Sequence, residues 1–136
     1  MFYLALNPAV YKKLQSILDS QFPNGDPDFV YSKSTSITYL DAVINESMRL
    51  QPALSSTGGL TRITPTGGLM IAGVHVPGDV IVSVPPYTIN RDPRYFDKAE
   101  EFIPERWTDE HPELVRDRGV LVPFSIGISH AAFPLV

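Results

Sequence analysis

Two stretches near the start of the chain repeat apolar side chains at helical spacing. The first begins after Asn7-Pro8, a pair typical of a helix start because Asn caps free amides and Pro fits the first helical position. We expect this helix over residues 7–20. Residues 21–35 carry Pro23-Asn24-Gly25 and are expected to form a solvent loop. The apolar positions of the helix are Val10, Leu14, Ile17 and Leu18.

The second stretch opens with Thr38-Tyr39-Leu40-Asp41, which has the spacing of a capping box and predicts the start of another helix. Gln51-Pro52 predicts its end, because the residue before a proline disfavours the helical conformation. We expect one apolar stripe along this helix. Its members are Leu40, Val43, Ile44 and Met48.

From residue 58 onward the helical period gives way to short β-prone runs separated by glycine and proline. This pattern predicts a small antiparallel β-meander. Pro85-Pro86 should end the last strand, and residues 87–90 can form one helical turn. The predicted strands are residues 60–64, 69–72, 75–76 and 80–84.

Residues 91–122 show neither period and are predicted to be mostly irregular. A loop of this length is unusual in a free-standing domain, so we expect it to wrap around another part of a protein. Taken together, the elements predict an α+β fold that is mainly helical.

The bulk composition narrows the possible function classes. With 136 residues, the chain fits one domain or a piece of a larger one. Its 43% hydrophobic and 19% charged residues suit a globular protein, and its formal net charge of −4 argues against nucleic acid as a partner. Residues 1–6 are apolar but too short to span a membrane. No signal or anchor indicates a compartment.

Two charged motifs are ambiguous when each is considered alone. Glu46-Ser47-Met48-Arg49 places Glu46 and Arg49 about 60° apart on a helix, away from the apolar stripe, which predicts an exposed ion pair worth about 0.2–0.5 kcal/mol. In Pro104-Glu105-Arg106-Trp107, Arg106 offers a planar fork of donors that can bind a carboxylate bidentately. Alone, it predicts an ordinary surface arginine before a partly buried tryptophan.

The order and the intervals of the motifs change this interpretation, because together they resemble the cytochrome P-450 monooxygenases, in particular fungal members. The resemblance covers nearly the whole chain and is most specific over residues 38–127. The motifs are Glu-x-x-Arg at 46–49, Arg62 in a strand, Asn90-Arg91-Asp92-Pro93, Tyr95-Phe96, Pro-Glu-Arg-Trp at 104–107 and Phe-Ser-Ile-Gly at 124–127.

The resemblance implies that residues 1–136 form a partial cytochrome P-450 domain. It would run from the Glu-x-x-Arg helix region to the start of the haem-ligand loop, without the family's N-terminal half and C-terminal helix. Glu46, Arg49 and Arg106 would form the family's buried triad. Arg62 would reach a haem propionate if haem is bound.

The haem-ligand loop departs from the family's pattern, Phe-x-x-Gly-x-Arg-x-Cys-x-Gly. Phe124 and Gly127 match, but Ser129 replaces the Arg, Ala131 replaces the Cys and Phe133 replaces the final Gly. The chain contains no cysteine at all. Because the mismatches are consecutive, we hypothesise a switch of reading frame, a retained intron or a misplaced exon boundary after Gly127.

Histidine does not offer an evident substitute for the missing sulfur. His130 lies one residue out of register with the expected Cys. His75, His111 and His130 are too dispersed along the chain to predict a zinc site, and we expect solvated or core histidines.

The family function implied by the resemblance is haem-dependent insertion of one oxygen atom from dioxygen into an organic substrate, with electrons supplied by a flavin reductase. The thiolate favours O–O cleavage. Without the thiolate and the family's distal oxygen-activating helix, we expect this chain not to retain haem and to be catalytically inactive. The alternative is a non-enzymatic binding or decoy module that reuses this part of the fold.

Overall fold

The computed structural model describes residues 2–53 and 60–123, which form an α+β arrangement of helices and two small sheets. Short 3-10 turns lie between these elements, including Asp26–Asp28 and Pro104–Trp107. Within the described ranges, every helix is too short or too polar to cross a bilayer. The helices are α1 Phe2–Leu6, α2 Pro8–Gln21, α3 Tyr31–Ser34, α4 Thr38–Leu50 and α5 Pro86–Ile89.

The first predicted helix is confirmed as α2, but the expected role of Asn7 is wrong. Asn7 occupies the position before the helix without capping it. Its Nδ2 instead donates to the backbone oxygen of Tyr3 at 2.8 Å. The preceding helix α1 supplies this acceptor, so the Asn7 side chain ties α1 to the start of α2.

The predicted solvent loop after α2 contains more helical structure than expected, because the Asp26–Asp28 turn and α3 interrupt it. Asp28 stabilises the first part of this segment. Its carboxylate accepts hydrogen bonds from the backbone nitrogen of Asn24 at 2.9 Å and from the Asn24 side chain.

Helix α4 begins and ends where the sequence predicts, at Thr38 and Leu50, yet its buried face differs from the predicted stripe. Ile44 is 45% exposed. No side-chain hydrogen bond caps the helix, so the predicted capping box is wrong. The stripe was misplaced because it was traced through apolar residues alone, whereas two charged residues share the buried face. The buried residues are Tyr39, Ala42, Val43, Glu46, Arg49 and Leu50.

The four predicted strands are present, but they form two nested antiparallel pairs rather than a meander. In the described residues β1 pairs with β4, and β2 pairs with β3 inside the β1–β4 connection. A tight turn at Ala72-Gly73 joins the inner pair, and both residues have positive φ angles of 48° and 83°. The strands are β1 Leu60–Ile63, β2 Leu69–Ile71, β3 Val74–Val76 and β4 Ile81–Val84.

A buried threonine joins the inner hairpin to the outer strand pair. Thr64 is 2% exposed, and its Oγ1 donates to the Pro77 oxygen at 2.7 Å and accepts from the Val80 nitrogen at 2.9 Å. Only glycine fits at position 78 without a clash, because a Cβ there would lie 2.0 Å from the Thr66 backbone oxygen. This junction therefore fixes how the chain re-enters the outer pair at β4.

Two apolar clusters hold the elements together. The first joins α2 and α4 to the irregular segment. The second cluster lies within that segment. In its described part after α5, the segment has only 3-10 turns and one isolated bridge, between Phe96 and Val115. The irregular character predicted for residues 91–122 is thus confirmed. The buried members are Leu14, Tyr39, Val43, Leu50 and Phe102 in the first cluster, and Phe96, Ala99 and Val115 in the second.

Replacing Gly78 should loosen the hairpin junction. In Gly78→Ala the added methyl group meets the Thr66 backbone, and we expect a local destabilisation of about 1–3 kcal/mol. Gly67→Ala is the matched control, because a Cβ at Gly67 has no atom within 4 Å. Amide hydrogen exchange at Thr64, whose nitrogen donates to the Val80 oxygen, measures the effect. Equal exchange rates in the two variants would contradict this account.

Candidate functional site

The structure brings together the three charged residues that the sequence motifs pointed to. Glu46 and Arg49 lie three residues apart on α4, and Arg106 comes from the Pro104–Trp107 turn. All three side chains have no exposed area. Arg49 Nη2 lies 2.9 Å from Glu46 Oε1, and Arg106 Nε lies 3.0 Å from the same oxygen. The prediction of an exposed ion pair, which considers Glu46 and Arg49 alone, is therefore wrong.

The Glu46 carboxylate accepts hydrogen bonds from five N–H groups. Besides Arg106, Arg49 donates through both Nε and Nη2, each at 2.9 Å. The backbone nitrogen of Ile103 donates to Oε1 at 2.9 Å, and the Trp107 indole nitrogen donates to Oε2 at 2.9 Å. Charge-assisted bonds of this kind are the stronger ones in proteins. They fix the carboxylate on both of its oxygens.

Sequence reasoning missed two of these donors, Trp107 and Ile103. Trp107 follows Arg106 directly, and the need of a partly buried indole N–H for an acceptor was the signal that could have identified it. No side-chain pattern could reveal the Ile103 bond, because its backbone nitrogen is the donor.

The Arg49 guanidinium uses its remaining donors on the irregular segment. Nη1 donates to the backbone oxygens of Asn90 and Ala99, both at 2.6 Å, and Nη2 donates to the Glu101 oxygen at 3.0 Å. The guanidinium also lies 5.1 Å from the centre of the Phe96 ring, close enough for a cation–π contact. Arg49 thus holds three carbonyl groups that have no sheet or helix to pair with.

Arg106 does the same for other carbonyl groups of the segment. Its Nη1 donates to the oxygens of Asp97 at 2.8 Å and Leu114 at 3.2 Å. Its Nη2 donates to the oxygen of Lys98 at 3.2 Å and reaches that of Glu101 at 3.5 Å. Across residues 2–53 and 60–123, no buried side-chain nitrogen or oxygen lacks a hydrogen-bond partner.

One carboxylate and two guanidinium groups leave an excess positive charge in the interior. Burial lowers the pKa of Arg106, reinforced by the charge of Arg49 and opposed by the carboxylate of Glu46. A guanidinium nevertheless stays protonated in proteins. The carbonyl dipoles that surround both arginines compensate for the excess charge, which explains why so many of them converge on this point.

The end of α4 is held by the residues of the Asn90-Arg91 turn. Asn90 is 4% exposed, and its Nδ2 donates to the Arg49 backbone oxygen at 3.1 Å. Arg91 donates to the backbone oxygen of Leu50. A cation at the last carbonyls of a helix is favoured by the helix dipole. The turn therefore anchors the C-terminus of the helix that carries Glu46.

The remaining candidate residues are not part of this cluster as described. Arg62 lies on β1 opposite Val82, its side chain is exposed, and its Nη1 donates to the Thr61 oxygen at 2.8 Å. Phe124, Gly127 and Ala131, the residues of the expected haem-ligand loop, lie outside the described residues.

The donors of this chain do not fit a haem held by a thiolate, because the sequence contains no cysteine. Residues 2–53 and 60–123 contain no group of three or more His, Asp or Glu side chains that could hold a metal ion. His75 is exposed on β3, and His111 pairs with Glu113 at 3.0 Å at an exposed position.

Comparison with known proteins gives a consistent result. The family model for cytochrome P450 matches residues 1–129. The chain is 49% identical over 125 residues to the cytochrome P-450 monooxygenase FCK2 of Fusarium pseudograminearum, covering 91% of this chain and 22% of that protein. It is 45% identical over 113 residues to the monooxygenase eupD of a Phoma species, covering 83% of this chain and 39% of that protein.

A third relative, the cytochrome P-450 monooxygenase orf5 of Eupenicillium brefeldianum, is 46% identical over 127 residues, which cover 93% of this chain and 24% of that protein. The chain thus spans between about a fifth and two fifths of the length of these curated relatives. The family match ends at Ser129, two residues before Ala131. Ser129 is also the first position at which the haem-ligand motif differs from the family's pattern.

Neutralising Glu46 should be strongly destabilising. In Glu46→Gln two buried guanidinium groups lose their counter-charge, and we expect a loss of about 3–5 kcal/mol in the free energy of unfolding. Asp109→Asn removes a carboxylate charge at an exposed position in the same irregular segment, where we expect a change within about 0.5 kcal/mol. Urea denaturation of both variants measures the difference, and comparable stabilities would refute the importance of the Glu46 charge.

Proposed function

This chain belongs to the cytochrome P-450 family, and on that premise we propose that it forms the triad-bearing part of a haem-dependent monooxygenase scaffold whose iron ligand is missing. The family's reaction inserts one oxygen atom from dioxygen into an organic substrate and draws electrons from a flavin reductase. For this chain we propose the scaffold role of Glu46, Arg49 and Arg106 without catalytic turnover.

One contrast supports this proposal. The Glu46 carboxylate has five donors and both guanidinium groups are fully engaged, whereas the sequence has no cysteine to supply a thiolate ligand. A thiolate both anchors the iron and donates electron density to it. We infer that a chain with Ala131 at the ligand position neither holds haem through a thiolate nor activates dioxygen.

The mismatch begins abruptly. This favours an altered transcript or a misplaced exon boundary over gradual divergence of the sequence. The haem-ligand motif matches the family's pattern at Phe124 and Gly127, and the three following motif positions, Ser129, Ala131 and Phe133, all differ. We propose that the coding register changes just after Gly127. Comparing the transcript with the genomic sequence around that codon tests this, since a cysteine codon at the family's position is expected in another reading frame or in a neighbouring exon.

A second candidate is a binding or decoy module that uses the same part of the fold. The satisfied polar network and the two apolar clusters favour it, because they give the chain its own interior. Large apolar side chains also lie on the surface of the outer strand pair, where Ile63 is 68% and Ile81 is 70% exposed. Such residues suit contact with a protein partner, for which we propose the electron-donating reductase or a full-length relative.

Thermal unfolding of the isolated chain separates the two candidates. A self-sufficient module should unfold in one cooperative transition with coincident far-UV and near-UV circular dichroism signals. A scaffold segment that depends on the rest of a larger domain should instead aggregate through its exposed apolar residues. Light scattering recorded during the same temperature ramp distinguishes these outcomes.

Haem titration tests the missing ligand directly. We expect no saturable one-to-one Soret change when haem is added to the unmodified chain. Ala131→Cys restores sulfur at the family's register and should raise haem affinity at least about tenfold, roughly 1.4 kcal/mol, with a thiolate-type ferrous-carbonyl spectrum. Ala132→Cys, one residue out of register, is the matched control and should not. Tight haem binding by the unmodified chain would disprove the proposal.

If haem binds to the Ala131→Cys variant, Arg62 is our candidate for a propionate partner. Its exposed guanidinium on β1 is a suitable donor for a carboxylate. Replacing it with Gln in that background should weaken haem binding without altering the ferrous-carbonyl spectrum, since the axial sulfur is unchanged.

A further inference from the structure

A second group of polar side chains surrounds Glu105, the residue immediately before Arg106. The Lys13 ammonium of α2 lies 3.0 Å from Glu105 Oε1. The Tyr39 hydroxyl of α4 donates to the same oxygen at 2.8 Å. Lys13 also contacts Glu110 at 2.8 Å and lies 4.4 Å from the centre of the Tyr39 ring. Residues from two helices and the irregular segment therefore meet at one carboxylate.

Partial burial makes this group stronger than an ordinary surface ion pair. The Glu105 side chain is 18% exposed, compared with 54% for Glu110. Burial alone would raise the pKa of Glu105, but the hydrogen bonds from Tyr39 and Lys13 outweigh it and hold that pKa below its ordinary value. Burial and the bond to Glu105 raise the pKa of Tyr39, so its hydroxyl remains a donor well into the alkaline range.

The geometry of the Pro104–Trp107 turn connects this group to the buried carboxylate. A 3-10 turn has three residues per turn, so consecutive side chains point in directions about 120° apart. Glu105 accordingly points away from Glu46 and contacts α2 and the start of α4. The long side chains of Arg106 and Trp107 reach different oxygens of Glu46, Oε1 and Oε2 respectively. The turn is held on more than one side by charged or polar contacts.

We propose that Lys13, Tyr39 and Glu105 form a positioning cluster that keeps the Pro104–Trp107 turn in register with Glu46. The docking of α2 is thereby coupled to the Glu-Arg-Arg triad through a single turn of chain. The contacts of this cluster are made by protein side chains alone, whether or not the chain binds haem.

Trp107 provides a direct readout, since it is the one tryptophan of the chain and its indole N–H donates to Glu46. Its indole signal in a ¹H–¹⁵N spectrum reports the state of that bond. Lys13→Met removes the ammonium group and keeps an apolar stem. Lys12→Met is the matched control, because Lys12 is an exposed neighbour on the same helix.

In Lys13→Met we expect hydrogen exchange of the Trp107 indole to accelerate by about fivefold or more, as local opening of the turn becomes easier. In Lys12→Met it should stay within about twofold of the unmodified chain. Lys13→Arg, which keeps the charge, should restore slow exchange. Equal exchange in Lys13→Met and Lys12→Met would overturn the proposal and reduce the Lys13 contacts to a surface ion pair.

Tyr39→Phe keeps the test valid if Lys13→Met fails to fold. It removes only the hydroxyl donor and retains the ring that packs in the first apolar cluster. We expect a smaller but measurable acceleration of Trp107 indole exchange, with unchanged far-UV circular dichroism. No acceleration in a folded Tyr39→Phe variant would contradict a role for Tyr39 in the cluster.

The pH dependence separates positioning from simple packing. Glu105 faces Lys13 from α2 and Tyr39 from α4, with Glu110 on the far side of Lys13. Because the pKa of Glu105 is lowered in the folded chain, the contribution of its charge is complete above its unfolded value of about 4.3. It is lost as the pH falls through the folded pKa. The exchange ratio between Lys13→Met and the unmodified chain should therefore shrink at acidic pH, and a constant ratio would count against the proposal.

Discussion

A charged group buried away from water must have partners for its charge and for each of its hydrogen-bonding atoms. In this protein that constraint falls on Glu46, whose carboxylate lies in the interior with two guanidinium groups. The arginines in turn donate to carbonyl groups between Asn90 and Leu114, in a segment whose own secondary structure is limited to 3-10 turns and the isolated Phe96–Val115 bridge. The irregular segment, the end of α4 and the polar interior thus depend on one another.

This dependence also explains why an irregular segment of such length can be ordered. Backbone carbonyl groups that are buried need donors, which secondary structure normally supplies. Here two side chains on different elements, Arg49 and Arg106, serve that purpose, and the Asn90-Arg91 turn closes the circle by binding the last carbonyls of α4. Removing the central charge affects all of these contacts, because the guanidinium groups are oriented by it.

Local features of the fold could be predicted from the sequence, while contacts distant along the chain could not. Prolines marked the ends of α4 and β4, and glycine marked the turn between β2 and β3. The nesting of the strand pairs was missed, since short β-prone runs do not indicate which strand pairs with which. The buried face of α4 was misassigned because most partners of the Glu46 carboxylate lie far away in the sequence, among them Arg106 at a distance of sixty positions. Family motif order, rather than helical period, joined those two residues.

The buried network is built from residues other than those of the haem-ligand motif. The buried network is complete in the described residues, although the sequence contains no cysteine. The positions around Glu105 extend the scaffold outward, since they connect α2 to the same turn.

The most direct test of this account is the ¹⁵N spectrum of the arginine side chains at neutral pH. The account predicts two Nε–H signals, from Arg49 and Arg106, that exchange slowly with water and show hindered rotation of their guanidinium groups. The exposed arginines should exchange rapidly. If every arginine Nε–H exchanges at the rate of a solvent-exposed side chain in the folded protein, the buried charge network does not exist and the account is wrong.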